Sequence, residues 1–471
     1  MSEHSLPAAV AALFPSAAER ARLDGWLTDA LIAALARARQ GPVTPTLGMA
    51  RFAEELAAMD FDAPRPLEEL LGWTLERMEH GIVQMTNPRY FGLFNPGASF
   101  PSQCADRIAS VFNPQLASSA SSPVPVALES HVIRAVAERA GFGAGATGHF
   151  ATGGSEANYT ALVCALTAAH PRFAQEGARA FPGAPLFYTS RECHIAWLKV
   201  AHQAGVGRGA LRLVATDGTG RMDPQALVQA IHADRAAGAA PIMLVATAGT
   251  TGAGMIDPLE ACADIARREG LWYHVDAAWG GAAIASERMR GLLAGVERAD
   301  SMTIDAHKWL ATTMGCAMYI TARGPILSEA FHASTSFMPS SVAGIDPYLN
   351  SVQWSRRFLG LRLFLALGAA GWAGLGAHLE RSVAVIARVR ERLTALGWTV
   401  ANDSALAVLD VLPPQACDVR ALVRRVVESG RAWVAPATFE GRDVVRICAT
   451  HGETSQSDIE ELVAALSAAA C

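Results

Sequence analysis

From about residue 125 to 325 the chain alternates helical periodicity with short apolar runs. Stretches 128–141, 156–169, 196–204, 223–237 and 258–269 carry apolar positions three and four apart with polar residues between them, the pattern of amphipathic helices. Between them lie the runs 185–189, 211–214, 241–246, 271–276 and 300–305, each short enough to be a buried strand. Helix and strand in turn predict an α/β fold: a mostly parallel central sheet with helices on both faces. Before this body, 20–37 and 66–85 have helical spacing and too little core to stand alone. The aromatic, turn-rich stretch 87–96 then leads in, as the wall of a cleft would. After a loop at 332–352, a long helical run over 356–396 opens a smaller unit. In it 406–411 and 444–448 read as strands and 455–469 as a closing helix. The expected partition is a helical segment over 1–90, a large α/β domain over 91–360 and a small α+β domain over 361–471.

Composition narrows the class. The 471 residues exceed what one compact core uses, and 51% hydrophobic against 18% charged residues suits a core-rich globular chain. A net charge of −5 argues against nucleic acid as the main partner, because phosphate backbones call for a basic face. The 8 cysteines are scattered singly with no CxxC pair, so neither a zinc knuckle nor a disulfide framework is indicated. Glu3 stands where a secretory leader would be basic, and the apolar runs are interrupted. The expectation is a cytoplasmic location with neither membrane nor nucleic-acid partners.

Two strand ends carry the chemistry. The run 301–305 ends in Asp305, and Lys308 follows among His307, Trp309 and Leu310. A lysine in apolar surroundings loses hydration, which favours its neutral, nucleophilic amine, as a Schiff base requires. A lysine snorkelling out of a loop explains that stretch alone equally well. The run 271–276 breaks the tie by delivering Asp276 at a second strand end, and since ligands of open α/β sheets sit beyond strand carboxyl ends, the two ends could meet in one crevice. A carboxylate opposite a Schiff-base lysine is the pairing pyridoxal phosphate needs, since the acid keeps the pyridine nitrogen protonated. Thr152-Gly-Gly-Ser155 at a helix start offers a phosphate seat, with an ordinary N-cap as the plainer reading. The Gly-rich loop 247–252 is a weaker candidate for contacts to phosphate or ring. His194, at a strand-to-helix junction, could stack on a flat cofactor or move protons. A metal site through His274, Asp276 and His307 is disfavoured because it leaves Lys308 without a role. The glycine clusters at 141–146 and 205–210 follow helices, not strands, and read as helix ends, not dinucleotide loops.

In chain order, NPRYFG, SSPVPVALE, TGGSEAN, the His194 segment, ATAGTTGAGMID, HVDAAWGG, DAHKWL and SRRF span about residues 87 to 360. This series resembles the group II pyridoxal-phosphate-dependent amino acid decarboxylases, the family of aromatic amino acid and glutamate decarboxylases. The resemblance implies a fold-type-I, aspartate-aminotransferase-like homodimer with active sites at the subunit interface. It implies pyridoxal 5'-phosphate as cofactor, Lys308 as the internal-aldimine lysine, Asp276 as the partner of the pyridine nitrogen, and His194 as the stacking residue. Gly154, Ser155 and Thr251 take the places of phosphate or ring contacts, and Asp305 and His307 flank the lysine. The implied reaction turns an L-amino acid into its amine and carbon dioxide.

Two departures qualify it. The family's loop tyrosine, which protonates the carbanion, is matched here by Phe337, which has no proton to give. In plant and insect relatives that replacement accompanies aldehyde formation with dioxygen, the alternative reaction here; an aminotransferase or a silent binding protein of the same fold is more remote. Positions that supply aromatic walls to the family's substrate pocket are Leu93, Gln115, Ala117 and Ser119, which suits a more polar substrate than indole or catechol.

Overall fold

The computed structural model describes residues 8–95, 97–333 and 346–470. The chain divides into two compact units, one formed by Phe91–Arg420 with Val434–Gly452, the other by the remainder.

The larger unit holds a seven-stranded sheet: β1 (Thr147–Ala151), β2 (Pro185–Ser190), β3 (Leu211–Val214), β4 (Ala240–Thr247), β5 (Trp272–Asp276), β6 (Ser301–Asp305) and β7 (Ala317–Thr321), ordered β1-β7-β6-β5-β4-β2-β3. β2 to β6 pair in parallel, and only β7 runs against its neighbours, β6 on one side and β1 on the other. Strands β2, β5, β6 and β7 are buried at every position, which is why they read as short continuous apolar runs. Helices Gly154–Ala169, Ala196–Gln203, Pro224–Ala236 and Leu259–Glu269 supply the crossovers. Gly141 and Gly205 follow helices Pro123–Arg139 and Ala196–Gln203 at φ +86° and +75°, the left-handed conformation of a helix end.

The same unit contains a four-stranded antiparallel sheet, β8 (Thr399–Val400), β9 (Val408–Leu412), β10 (Ala435–Phe439) and β11 (Arg442–Cys448), ordered β10-β11-β9-β8. Its inner face meets the loop after β4: Ala253, Met255, Phe439 and Val444 form one apolar cluster, and the Asn402 side chain donates to the Ala253 carbonyl at 2.8 Å. The long helix Leu361–Ala395 is apolar and long enough to cross a bilayer. Gly371 breaks it at φ +62° and ψ 177°, and Leu361 joins a core cluster with Ala105, Leu116, Val126 and Phe358.

In the smaller unit, helix Ala17–Gln40 is tied to helix Leu67–Gly81 by an Arg37–Glu79 ion pair at 2.7 Å, and no residue of either is fully buried. Asn87 is buried, and its amide donates to the carbonyls of Ala38 and Gly41 at 3.0 and 3.1 Å. Helix Gln456–Ala470 belongs to this unit.

Candidate active site

β4, β5 and β6 run side by side and end at Thr247, Asp276 and Asp305, so their polar terminal residues collect at one sheet edge. β1, aligned with β6 through the reversed β7, reaches the same edge and hands over to helix Gly154–Ala169. A cavity of about 270 Å³ opens there, and Gly154, Ser155, His194, Thr251, Asp276, Asp305, His307 and Lys308 all line it.

Lys308 sits one turn beyond β6, its side chain 21% exposed and its ammonium 3.0 Å from Asp305 Oδ2. Asp305 is therefore the counter-charge of the lysine as well as its neighbour in sequence. Asp305 Oδ1 is buried and has no hydrogen-bond partner among the described residues. Asp276 is buried, and its Oδ2 accepts from the Asn158 amide at 2.8 Å and the Trp197 indole at 3.1 Å, while Oδ1 accepts from the Ala278 N–H at 3.3 Å. Behind it Asn158 Oδ1 lies 3.2 Å from His274 Nε2, and His274 Nδ1 lies 2.8 Å from Ser301 Oγ. An amide oxygen only accepts, so His274 donates from Nε2 and receives the Ser301 hydroxyl at Nδ1. Burial holds His274 neutral by lowering its pKa to about 4, against the pull of Asp276.

His194 stands exposed at the mouth. Its Nδ1 accepts from the Ala196 N–H at 3.1 Å, which puts the proton of the neutral ring on Nε2. Loss of hydration in the cleft lowers its pKa, outweighing the nearby carboxylate of Asp276. His307 is tethered through Nδ1 to the backbone of Cys316, with the carbonyl 3.0 Å away. A side chain on Gly154 would place its Cβ 2.9 Å from Asp305 Oδ2, so the bare glycine keeps that corner open.

Sequence reasoning missed three contributors. Asn158 and Trp197 hold Asp276; a polar residue on the buried face of helix Gly154–Ala169 was the available signal for the first. The third, Arg446 on β11, is outside the cavity lining but lies against one of its walls, with its guanidinium 4.5 Å from the ring centroid of Phe94, and Lys308 Nζ is 5.8 Å from the same ring. Arg446 Nη1 donates to the Gly92 carbonyl at 2.8 Å, while the buried Nε and Nη2 have no partner among the described residues. Phe94 in turn stacks on Trp279 at 4.5 Å, and Trp279 on Trp309 at 4.4 Å.

The positions expected to shape the substrate pocket behave differently. Leu93, Gln115 and Ala117 do not line the cavity; Gln115 Oε1 accepts from the Arg356 backbone at 2.8 Å, and Ser119 lines a separate cavity of about 790 Å³. Phe337 lies outside the described residues.

Residues 54–399 match the model of the pyridoxal-dependent decarboxylase conserved domain. The chain belongs to the pyridoxal-dependent decarboxylase family. It is 34% identical over 329 residues to the acidic amino acid decarboxylase GADL1 of Bos taurus, covering 69% of this chain and 63% of that one. With the cysteine sulfinic acid decarboxylase of Homo sapiens it shares 36% over 312 residues, 65% of this chain and 62% of the other. The chain thus spans less than two thirds of the length of these relatives. The crystal structure of mouse CSAD in apo form superposes with a TM-score of 0.88 at 26% identity, covering 95% of this chain and 98% of that one. Rhodiola rosea 4-hydroxyphenylacetaldehyde synthase gives the same TM-score of 0.88 at 21% identity over 97% and 98%, a likeness of fold alone. A mostly parallel sheet with a small antiparallel one is this decarboxylase fold.

Pyridoxal phosphate is the family's cofactor, and the pocket's own atoms suit it. A lysine and a buried carboxylate come from adjacent strand ends, a helix N-terminus points free N–H groups at the same space, and the side-chain oxygens Thr247 Oγ1 and Asp305 Oδ1 lack partners among the described residues.

Proposed function

We propose that this chain is an L-amino acid decarboxylase dependent on pyridoxal phosphate, with a substrate whose side chain is acidic or polar. The observation that carries the reading is the convergence of Lys308 and Asp276, 32 residues apart in sequence (308 − 276), on one cavity. Lys308 would attach the cofactor through its amine, and the N-terminus of helix Gly154–Ala169, with Gly154 and Ser155, would take the phosphate. When bound, the cofactor supplies an electron sink for the pair left on Cα as carbon dioxide departs. Asp276, steadied by Asn158 and Trp197, holds a proton at the ring nitrogen. Lys308, with Asp305 as counter-ion when protonated, moves a proton to and from the reacting centre. His194 covers the mouth, excludes water and presents Nε2–H inward.

Arg446 is the candidate seat for a substrate carboxylate. Its Nε–Nη2 edge, the one that takes a carboxylate in two parallel hydrogen bonds, has no hydrogen-bond partner among the described residues, and Arg446 and the ammonium of Lys308 both lie against the Phe94 ring. The names of the relatives, acidic amino acid and cysteine sulfinic acid decarboxylases, support the same substrate class. A homodimer belongs to the reading, supported by the exposed apolar face of helix Phe100–Phe112, where Phe100, Val111 and Phe112 are 74 to 79% exposed. Cytoplasmic location goes with it.

The test is to incubate the cofactor-loaded protein in air with aspartate, glutamate, cysteine sulfinate, tyrosine and tryptophan, following carbon dioxide, amine and hydrogen peroxide together. Amine and carbon dioxide in equal amounts, abolished by Lys308→Ala, is the expected result. Carbon dioxide matched by peroxide and aldehyde would instead establish the oxidative reaction tied to Phe337. No carbon dioxide from any amino acid would sink the decarboxylase reading.

A further inference from the structure

β9 and β11 run antiparallel in a register that sets Asp410 directly opposite Arg446. Residues so paired project from the same face with Cβ atoms roughly 5 Å apart, close enough for a change of rotamer to bring the two charges together. They are not together. Among the described residues, both buried carboxylate oxygens of Asp410 have no hydrogen-bond partner, and neither do the buried Nε and Nη2 of Arg446. Four such atoms of complementary charge thus belong to one cross-strand pair, whose arginine lies against Phe94. Buried polar atoms are nearly always paired, so each of these two groups calls for a partner, and the other lies within reach of a rotamer change.

We propose that Asp410 is a positioning residue for Arg446: ionised, it draws the guanidinium edge to itself, and neutral, it leaves that edge to the substrate carboxylate. The inference rests on Arg446 as the carboxylate seat. An isolated carboxylate out of water is costly, which favours the neutral acid unless Arg446 turns to it. Among the described residues, the charged groups acting on Asp410 are Arg446 on β11 and Glu192 in the turn after β2. Burial raises its pKa to about 7, with Glu192 pushing the same way and Arg446 opposing. The competition therefore switches near neutrality. Substrate and ionised Asp410 exclude one another, so binding a carboxylate above that pH takes up a proton.

For a competing group with a pKa of about 7, apparent KM rises about tenfold from pH 6 to pH 8. The experiment compares KM and kcat of the cofactor-loaded wild type, Asp410→Asn and Arg446→Gln over that range, using the best substrate of the panel. A second readout does not need turnover: glutarate, an inert dicarboxylate, is titrated calorimetrically into the wild type at pH 8 in two buffers of different ionisation enthalpy. The expected results are a KM slope in the wild type that Asp410→Asn abolishes, and uptake of close to one proton per glutarate bound. A tenfold or larger rise in KM in Arg446→Gln with an unchanged slope in Asp410→Asn, or glutarate binding without proton uptake, would overturn the role of Asp410. An unchanged KM in Arg446→Gln would instead remove the carboxylate seat and the switch with it.

Discussion

Asp276 carries two side-chain hydrogen bonds on one oxygen, and the stronger geometry is that of Asn158 at 2.8 Å. Hydrogen bonds to a charged group contribute about 1.5–3 kcal/mol. Asn158→Ala is therefore expected to lower kcat by roughly 10- to 100-fold, and to loosen the cofactor, because Asp276 keeps only Trp197 on that oxygen and His274 Nε2 loses its nearer acceptor, keeping Thr303 Oγ1 at 3.5 Å. Steady-state rates and the cofactor's absorption band, measured during dialysis, check this; wild-type values in both would show that Asn158 does not hold the acid. At this scale much of the site was legible in the chain, because Asp276, Asp305 and Lys308 interrupt or end apolar runs in which charge has no packing reason. Arg446 and Asp410 also interrupt apolar runs, but neither was singled out, since what each meets is set only by strand register.

Helix Phe100–Phe112 escaped the reading of periodicity, because Phe100, Val111 and Phe112 lie off the face that packs inward through Ser102 and Ala105. Those exposed side chains make it the element on which dimerisation is best tested. Val111→Asp with Phe112→Asp places two charges where the apolar face would be covered, and charge buried without a partner costs several kcal/mol. Sedimentation is expected to show a dimeric wild type and a monomeric double variant with most activity lost. A monomeric, fully active wild type would remove the interface from the functional reading. β1 and β7 were also missed: β1 contains Gly148 and His149 and β7 follows the Lys308 turn closely, so neither stands out as an apolar run between helices.

Across the whole molecule, buried titratable groups pull stability in opposite directions. Burial lowers His149 to about 3 and His274 to about 4, below their ordinary 6.5, so each contributes stability present above pH 6.5 and lost on acidification toward its folded value. Burial raises Asp257 to about 6 and Asp410 to about 7, so each protonates earlier in the folded chain and loses stability as pH rises from about 4 toward those values. Each slope is about 1.4 kcal/mol per pH unit, and between pH 4 and 6 the two pairs offset one another. Asp410→Asn removes one opposing slope. Its stability relative to wild type is expected to fall by about 1.4 kcal/mol for each unit of acidification from pH 6 to 4, read from urea midpoints. Parallel curves would mean that Asp410 titrates normally.

The sequence by itself determined the α/β alternation, the family and the strand ends that carry Lys308 and Asp276, because these depend on local periodicity and on charges set in apolar context. Only the tertiary structure decided what those charges meet. Asp305 became the lysine's counter-ion, Asn158 the clamp on Asp276, and Asp410 the cross-strand neighbour of Arg446, since each contact joins residues whose proximity is set by strand register and sheet order.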